Sequence, residues 1–390
     1  MNNLCELCRC DALEQVYTPE RSTRGMTIHL CHHCGLVQSL PRHDRAARAP
    51  AAVSGGADWG NVRYGKGFRT KAVLDALTHH ADLSGEISLL DVGSNRGSFA
   101  RAFLEAAPNA RLVAVEPDER VAGSCNGLDR TKLICARIED AALDAEHFDI
   151  IHSCHTIEHV AEPAHVLTDH WRTLKPGGLL VLDAPNLAFL GGDDVVEEWF
   201  IDKHLTHFSA RTLTRMIEAA GFTIVQQPDA KDRDNLLFVA RKTGEPHLLC
   251  RSDTVEVEHA ETLLAHYIVT RARNLLALTV AAAEINKMKS RGVVMWGAGR
   301  IFDSLVMHGH FDPHTLTLLI DKHLKPHVSE RYGCAVSGPE ALAGANAEIV
   351  IIMSRSFAKE ITDEVRRLAP KVEIILYTDL LAQARTKMAA

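Results

Sequence analysis

The stretch from Ile87 to Ala107 constrains the fold of this chain more than any other. Ile87–Val92 is an apolar run of strand length. The glycine-spaced loop Asp91-Val92-Gly93-Ser94-Asn95-Arg96-Gly97 overlaps its end, and Gly97–Ala107 reads as a helix stopped by Pro108. A buried strand that turns through glycines into a helix opens an α/β sheet, with a ligand loop at the carboxyl end of the strand. The alternation continues. Leu112–Glu116 is the second strand, and Phe148–Ser153 is the fourth by analogy with such sheets. His165–Leu174 is a helix stopped by Pro176-Gly177-Gly178, and Leu179–Asp183 is the fifth strand. Ala210–Ala220 is a helix with Gly221 as its C-cap. The gap between Phe222–Gln226 and Asn235–Arg241 is too short for a crossover helix, so these strands should pair antiparallel. The expectation is a doubly wound, mostly parallel sheet with an antiparallel last strand.

The loop chemistry selects among ligands. A dinucleotide fingerprint needs glycines at 93, 95 and 98, but Asn95 and Ser98 stand at two of those positions. Asp91 would repel a pyrophosphate and suits a ligand carrying an ammonium and a sulfonium. Glu116 ends the second strand, 23 residues after Gly93, where a carboxylate can take both ribose hydroxyls. These features favour S-adenosylmethionine over NAD.

Ahead of this domain stand two cysteine pairs, Cys5-x-x-Cys8 and Cys31-x-x-Cys34. Four thiolates at this spacing suit a closed, tetrahedral structural zinc site. Cys10 competes with Cys8 for a place in it, and His32 or His33 with a cysteine. Residues 1–45 are too few to bury a core of their own, so a metal would supply folding energy. Residues 46–245 form the cofactor domain. They open on a connector over 46–60 and an amphipathic helix, Arg69–His79, with Val73, Leu74 and Leu77 on one side. Residues 246–291 are a helical spacer, whose long helical stretch over 255–290 reads as a hairpin or spacer. Residues 292–390 restart the alternation as a smaller domain. Gly292–Trp296 leads into Gly297-Ala298-Gly299, and Leu316–Ile320 ends at Asp321; Glu348–Met353 and Glu373–Tyr377 follow. Asp321 lies where it could hold a second ribose, but Phe302 would crowd a dinucleotide-type helix, so a structural role is the favoured reading.

The cofactor domain resembles the class I methyltransferases. Leu89–Phe99 resembles their first motif and Val113–Asp118 the acidic second one. Arg137-Ile138-Glu139-Asp140 is similar to the segment beside adenine. Thr156-Ile157-Glu158-His159-Val160 and Leu174-Lys175-Pro176-Gly177-Gly178-Leu179-Leu180 are similar to later signatures. The resemblance implies that Asp91, Gly93, Asn95 and Gly97 face the methionine portion of the donor, Glu116 the ribose, and Ile138 with Glu139 or Asp140 the adenine. Tyr64 would close over the donor's carboxylate.

The chain as a whole resembles the zinc-binding sugar C-methyltransferases, through Cys31-His32-His33-Cys34-Gly35-Leu36-Val37-Gln38 and through Val293–Arg300 with Asp321-Lys322. That resemblance implies an N-terminal zinc knuckle, a C-terminal Rossmann-like domain walling the acceptor site, and a sugar-nucleotide acceptor. The family's Tyr-His-Glu-His run is Ile201-Asp202-Lys203-His204 here, followed by Leu205-Thr206-His207-Phe208-Ser209. Only the last histidine of the run remains.

Methyl transfer requires a positioned nucleophile and a proton acceptor near neutral pKa. His204 is the first candidate base, His155 the second, and His207 lies on the same segment. Glu158-His159 reads as loop-ordering. The expected donor is S-adenosylmethionine, with Zn2+ as a structural ion and a small-molecule acceptor. The acceptor reading covers C-, O- or N-methylation. The rival readings are an NAD-dependent sugar oxidoreductase or epimerase and a non-catalytic adaptor. A net charge of -7 gives no basic field for nucleic acid. No apolar run is long enough for a membrane span, and no signal peptide precedes the cysteines. Reduced thiols indicate the cytoplasm. Monomer and homodimer are both compatible with the sequence.

Overall fold

The structure is a computed structural model that describes residues 4–20, 22–42, 68–119, 123–125, 127–248 and 251–389. Tyr64 and the connector at 46–60 lie outside the described residues. The chain divides into two compact units. The first is Met1–Leu190 with Glu198–Leu264, and the second is Gly191–Glu197 with Ala265–Ala390.

The first unit holds two sheets. Strands β1 (Leu13–Tyr17), β2 (Thr27–Cys31) and β3 (Val37–Leu40) form an antiparallel set. The larger sheet uses β4 (Ser88–Val92), β5 (Arg111–Val115), β6 (Thr131–Ile134), β7 (Phe148–Cys154) and β8 (Leu174–Pro185). A two-residue strand, β9 (Thr206–His207), returns to the small sheet and pairs with β3. The larger sheet is completed by β10 (Phe222–Gln226) and β11 (Asn235–Lys242), in the order β10-β11-β8-β7-β4-β5-β6. Strand β11 runs antiparallel to both β8 and β10, and the pairings from β8 to β6 are parallel. The inferred antiparallel strand is therefore present, placed second from the edge.

Strand β4 shows why the sheet sits at the centre. Leu89 points into one apolar cluster, while Leu90 and Val92 point into the other. A strand covered on both faces reads as a continuous apolar run rather than an alternation. Helix α1 (Phe68–His80) and helix α2 (Ser98–Ala106) pack on the Leu89 side, α2 through Phe99, Ala100, Phe103 and Leu104 at helical spacing. Helix α3 (Pro163–Thr173) and helix α4 (Ala210–Ala219) pack on the other side. Ser209 caps α4 by accepting from the Thr212 N–H, and the Thr212 hydroxyl accepts from the Ser209 N–H in return.

The N-terminal residues have no separate core. Cys5, Leu7, Cys8, Cys31, Cys34 and Leu36 are buried in the same cluster as Leu90, Leu180, Phe208 and Leu213. Sequence reasoning recognised that this segment could not bury a core alone. The partners it finds are the sheet domain's own apolar side chains.

Helix α5 (Thr254–Lys287) is one uninterrupted helix, so the hairpin alternative for this stretch does not hold. Its first turns belong to the first unit and the remainder to the second. The second unit contains β12 (Val293–Trp296), β13 (Leu318–Ile320), β14 (Glu330–Arg331), β15 (Cys334–Ser337), β16 (Ile349–Ile352) and β17 (Glu373–Leu376). Their order is β14-β15-β13-β12-β16-β17, parallel apart from β14. Helices α6 (Arg300–His308), α7 (Ala358–Leu368) and α8 (Tyr377–Ala389) accompany the sheet. Arg355 ties the 191–197 segment to this unit through Asp194 Oδ2 and Glu197 Oε1, each at 2.6 Å. Burial pushes the Glu197 carboxyl up, but the charge and hydrogen bond of Arg355, with the Arg300 charge, together override it and hold the group at about 2.

Leu36 is fully buried in the shared core. Leu36→Ala is expected to destabilise the first unit by about 2–5 kcal/mol. The loss should appear in the same urea transition that unfolds the parallel sheet. An early, separate transition of the N-terminal residues would contradict a shared core.

Candidate active site

Strand β4 delivers its carboxyl end into a tight loop. Gly93, Asn95 and Gly97 have φ of 72°, 48° and 71°, in the left-handed region that glycine and asparagine tolerate. The N–H groups of Gly93 and Ser94 both donate to Val115 O, at 2.8 and 3.1 Å. Gly93 has a second reason to lack a side chain, since a Cβ there would stand 2.2 Å from Thr156 Oγ1. The loop after β4 and the loop after β7 therefore touch at this residue.

Glu116 follows β5 directly and is buried. Its Oε2 accepts from the Asn95 N–H at 2.8 Å and its Oε1 from the Asp118 N–H at 2.9 Å. Burial raises its pKa, and these two N–H bonds partly oppose the rise. A carboxylate oxygen carries a second lone pair, so both oxygens can still accept from a diol. Ile138, Glu139 and Asp140 form a single 3-10 turn after β6. Ile138 packs against the core, while Asp140 is exposed.

Asp91 is 1% exposed. Its Oδ1 meets His152 Nδ1 at 2.8 Å, and its Oδ2 has no hydrogen-bond partner. Burial is the largest single influence and lowers the His152 pKa, but the hydrogen bonds and charges of Asp91 and Cys154 together outweigh it and raise the group to about 9. The Phe99 ring stacks on the imidazole with centroids 3.7 Å apart. A buried ion pair thus lies beneath the loop, with one carboxylate oxygen left over. Sequence reasoning found Asp91 and missed His152, because the partner sits on a neighbouring strand 61 residues away.

A second cluster stands at the carboxyl end of β7. Glu158 is 1% exposed, and neither of its carboxylate oxygens has a hydrogen-bond partner. Three imidazoles surround Oε1, with His155 Nδ1 at 3.6 Å, His159 Nε2 at 3.6 Å and His204 Nε2 at 4.0 Å. Burial pushes the Glu158 carboxyl up to about 8. His155 has φ of 47°, a strained value for a non-glycine residue. The structure thus brings His204 and His155 together around a glutamate that the sequence reading had treated as loop-ordering. Beside it, Cys154, His155 and Asp183 form another close group, and Arg69 pairs with Asp183.

His207, the third candidate base, stands apart from the carboxylate. It is buried in β9, opposite Val37, with Nε2 2.9 Å from Ser39 Oγ and its ring edge-on to Phe200. Burial pushes its pKa down to about 3. That environment makes it a strand-docking residue.

The four cysteine sulfurs lie within 4.8 Å of one another. Cys5 and Cys34 are 3.5 Å apart, and Cys8 and Cys31 are 3.6 Å apart. Tetrahedral zinc thiolates require a separation of about 3.8 Å, so the donor set fits that ion with little movement. Hydrogen bonds from Cys34, then Cys5 and Cys8, lower the Cys31 thiol, whereas Cys34 is raised chiefly by Cys31. A cation would relieve this competition by favouring all four thiolates. His32 turns to Glu14 and Glu261 instead, at 2.8 and 3.4 Å. His33 lies with Cys8 and Cys10.

In the second unit, Asp321 is already engaged by the backbone. Its Oδ2 accepts from Ala298 N–H at 3.0 Å, and its Oδ1 from His323 and Leu324 N–H at 3.0 and 2.9 Å. These bonds give it a loop-fastening role.

Residues 66–227 match the family model described as a methyltransferase domain. An uncharacterised methyltransferase of Mycobacterium leprae is 35% identical over 150 residues, which is 37% of this chain and 52% of the relative. Another, of Mycobacterium avium, is 33% identical over 118 residues, 29% of this chain and 46% of the relative. The chain spans about half the length of these curated relatives. Among solved structures, an S-adenosylmethionine-dependent methyltransferase of Aquifex aeolicus is 15% identical with a TM-score of 0.39, over 48% of this chain and 98% of that one. One from Mesorhizobium loti is 17% identical with a TM-score of 0.36, over 48% and 98%. Residues 66–227 are thus similar to a methyltransferase domain, and the relatives that share this stretch are named methyltransferases. Among the described residues, no helix is long and apolar enough to cross a membrane.

The Asp91–His152 pair makes a pH prediction. Its folded-state pKa, about 9, lies above the ordinary 6.5, so its stabilisation is complete below about pH 6.5 and fades as pH rises through 9. His152→Gln should cost about 3 kcal/mol at pH 6 and progressively less toward pH 9.5. Urea midpoints of the variant and wild type across this range check it. A gap that widens with pH would contradict the pairing.

Proposed function

We propose that this chain is an S-adenosylmethionine-dependent methyltransferase acting on a sugar nucleotide or a related glycosylated metabolite. One observation carries the reading. The donor loop and the Glu158 cluster adjoin on the same edge of the sheet, joined where Gly93 meets Thr156. Ligands of open α/β sheets bind at this edge. The sugar acceptor is supported by the order of cysteine lobe, methyltransferase domain, helix and second parallel sheet. Residues 292–390 are read as a Rossmann-like domain.

S-adenosylmethionine, when bound, supplies a methyl group on a sulfonium, open to in-line attack. Asp91 and the 93–97 loop hold its amino-acid portion, with the free Oδ2 of Asp91 supplying negative charge. Glu116 takes the ribose hydroxyls, and Ile138 with Glu139 or Asp140 borders the adenine. Tyr64, outside the described residues, would cover the donor carboxylate by its place in the sequence. His204 accepts the acceptor's proton, from a carbon alpha to a keto group in C-methylation or from a hydroxyl or amine in O- or N-methylation. Glu158 stabilises the imidazolium that forms, and His155 is the alternative base. Cys5, Cys8, Cys31 and Cys34 hold a structural Zn2+, with no ligand position left for chemistry. The site of action is the cytoplasm, where thiols stay reduced.

Calorimetry with S-adenosylhomocysteine is expected to give one site, weakened at least tenfold by Glu116→Ala. Binding of NAD and not of S-adenosylhomocysteine would overturn the proposal. With nucleotide-activated deoxy- and keto-sugars as acceptors, His204→Ala should lower turnover by roughly 10²- to 10⁴-fold. Donor affinity should stay unchanged. Undiminished turnover would remove His204 from the mechanism.

A further inference from the structure

We propose that Glu158, His159 and His204 form a second metal site, one that binds a divalent first-row transition cation with open coordination positions. One carboxylate oxygen and two imidazole nitrogens of these residues lie within 4.8 Å of one another. The separations from Glu158 Oε1 are 3.6 Å to His159 Nε2 and 4.0 Å to His204 Nε2. Neighbouring ligand atoms around a zinc-sized ion stand roughly 3–3.5 Å apart. The two separations from Glu158 Oε1 are therefore too long for hydrogen bonds and only a few tenths of an ångström from a coordination shell, with all three donors within 4.8 Å.

The second observation is the state of the carboxylate. Glu158 is buried, yet neither oxygen has a hydrogen-bond partner. A buried carboxylate without a partner is costly, and the cost falls when a cation occupies the space it faces.

The third is the tautomers. His159 Nδ1 lies 3.0 Å from the backbone carbonyl of Lys203, which can only accept, so Nδ1 carries the proton. In the neutral ring, Nε2 is then the acceptor nitrogen, and it is Nε2 that faces Glu158. His155 repeats the pattern. Asn235 directs its Nδ2 to Asp232 and its Oδ1 to His155 Nε2 at 3.2 Å, which leaves Nδ1 as the acceptor nitrogen toward Glu158. An outer carbonyl that fixes a ring with its lone pair inward is the second-shell arrangement of metal-bound histidine. Glu158 Oε1, His159 Nε2 and His204 Nε2 thus lie within 4.8 Å of one another as a donor set that a positive ion can bridge, with His155 beside them.

Two imidazoles and one carboxylate select borderline cations such as Zn2+, Co2+ or Mn2+ over Ca2+ or Mg2+. His159 is 38% exposed on its side chain, so the site opens outward and retains positions for water or an acceptor oxygen. The inference concerns the cluster to which the proposed function assigns the base. With the ion bound His204 is a ligand, the proton passes to His155, the alternative base of the proposed function, and donor binding is untouched.

The test counts bound Co2+ on the full chain after dialysis against excess metal, with absorption spectra and S-adenosylhomocysteine titrations on the same samples. Wild type should hold two equivalents, one with intense sulfur-to-cobalt charge-transfer bands from the cysteines and one with only weak visible bands. Glu158→Gln, His159→Ala and His204→Ala should each weaken the second equivalent at least tenfold. All should keep the first equivalent and the product affinity. A single thiolate-bound equivalent in wild type overturns the inference, as does a second equivalent that persists in the variants. The wild-type count decides even where a variant fails to fold. Loss of product binding in wild type would instead refute the methyltransferase reading, whatever the metal count.

Discussion

The backbone of Leu205 is held from two sides, and the geometry of the reactive edge depends on it. Its carbonyl accepts from the Ser39 N–H at 3.0 Å, and its N–H donates to the Glu158 carbonyl at 2.7 Å. The Ser39 hydroxyl also donates to the His204 carbonyl at 2.9 Å. Through these three bonds the N-terminal sheet grips the 204–207 segment and presses it against the turn after β7. Without them His204 would lie on an irregular segment with no reason to face Glu158. The cysteine lobe thus acts on the site by fixing a backbone, through Ser39, several residues beyond its nearest cysteine.

The same logic explains the burial of His207. A two-residue strand offers little pairing of its own. It holds because Thr206 and His207 are buried on β3 and Phe208 is in the shared core. The polar ring is tolerated because Ser39 satisfies one nitrogen, and burial keeps it uncharged. In the second unit, Arg355 does comparable work. It gathers two carboxylates from the 191–197 segment, with the Tyr377 hydroxyl on its Nη2 at 2.7 Å.

Much of the fold was legible because its signals are local. The strand Ile87–Val92, the 93–97 loop, Glu116 and the helix from Ala210 are written in contiguous residues, and each lies in the element it announced. What was not legible depends on contacts between distant residues. His152 becomes a partner of Asp91 only because β4 and β7 are neighbours. Glu158 resembled a common loop residue, and only its burial amid imidazoles from two segments shows a chemical environment. Strand β9 has no pattern, since two residues cannot display a period. The candidacy of His207 rested on its nearness to His204 in sequence, and the strand turns it toward β3 instead. Helix α5 gave no internal break, and the hairpin alternative fails for want of a turn.

The pairing of β3 with β9 also limits how this architecture can be recombined. A lobe that recognises its host through Val37, Gln38 and Ser39 is matched in register to Leu205, Thr206 and His207. Exchanging the first forty residues for those of a homologous enzyme would shift that register unless the 204–209 segment travelled with them. The heritable module is therefore discontinuous. It joins an N-terminal lobe to a short stretch more than 160 residues downstream, and the two must change together.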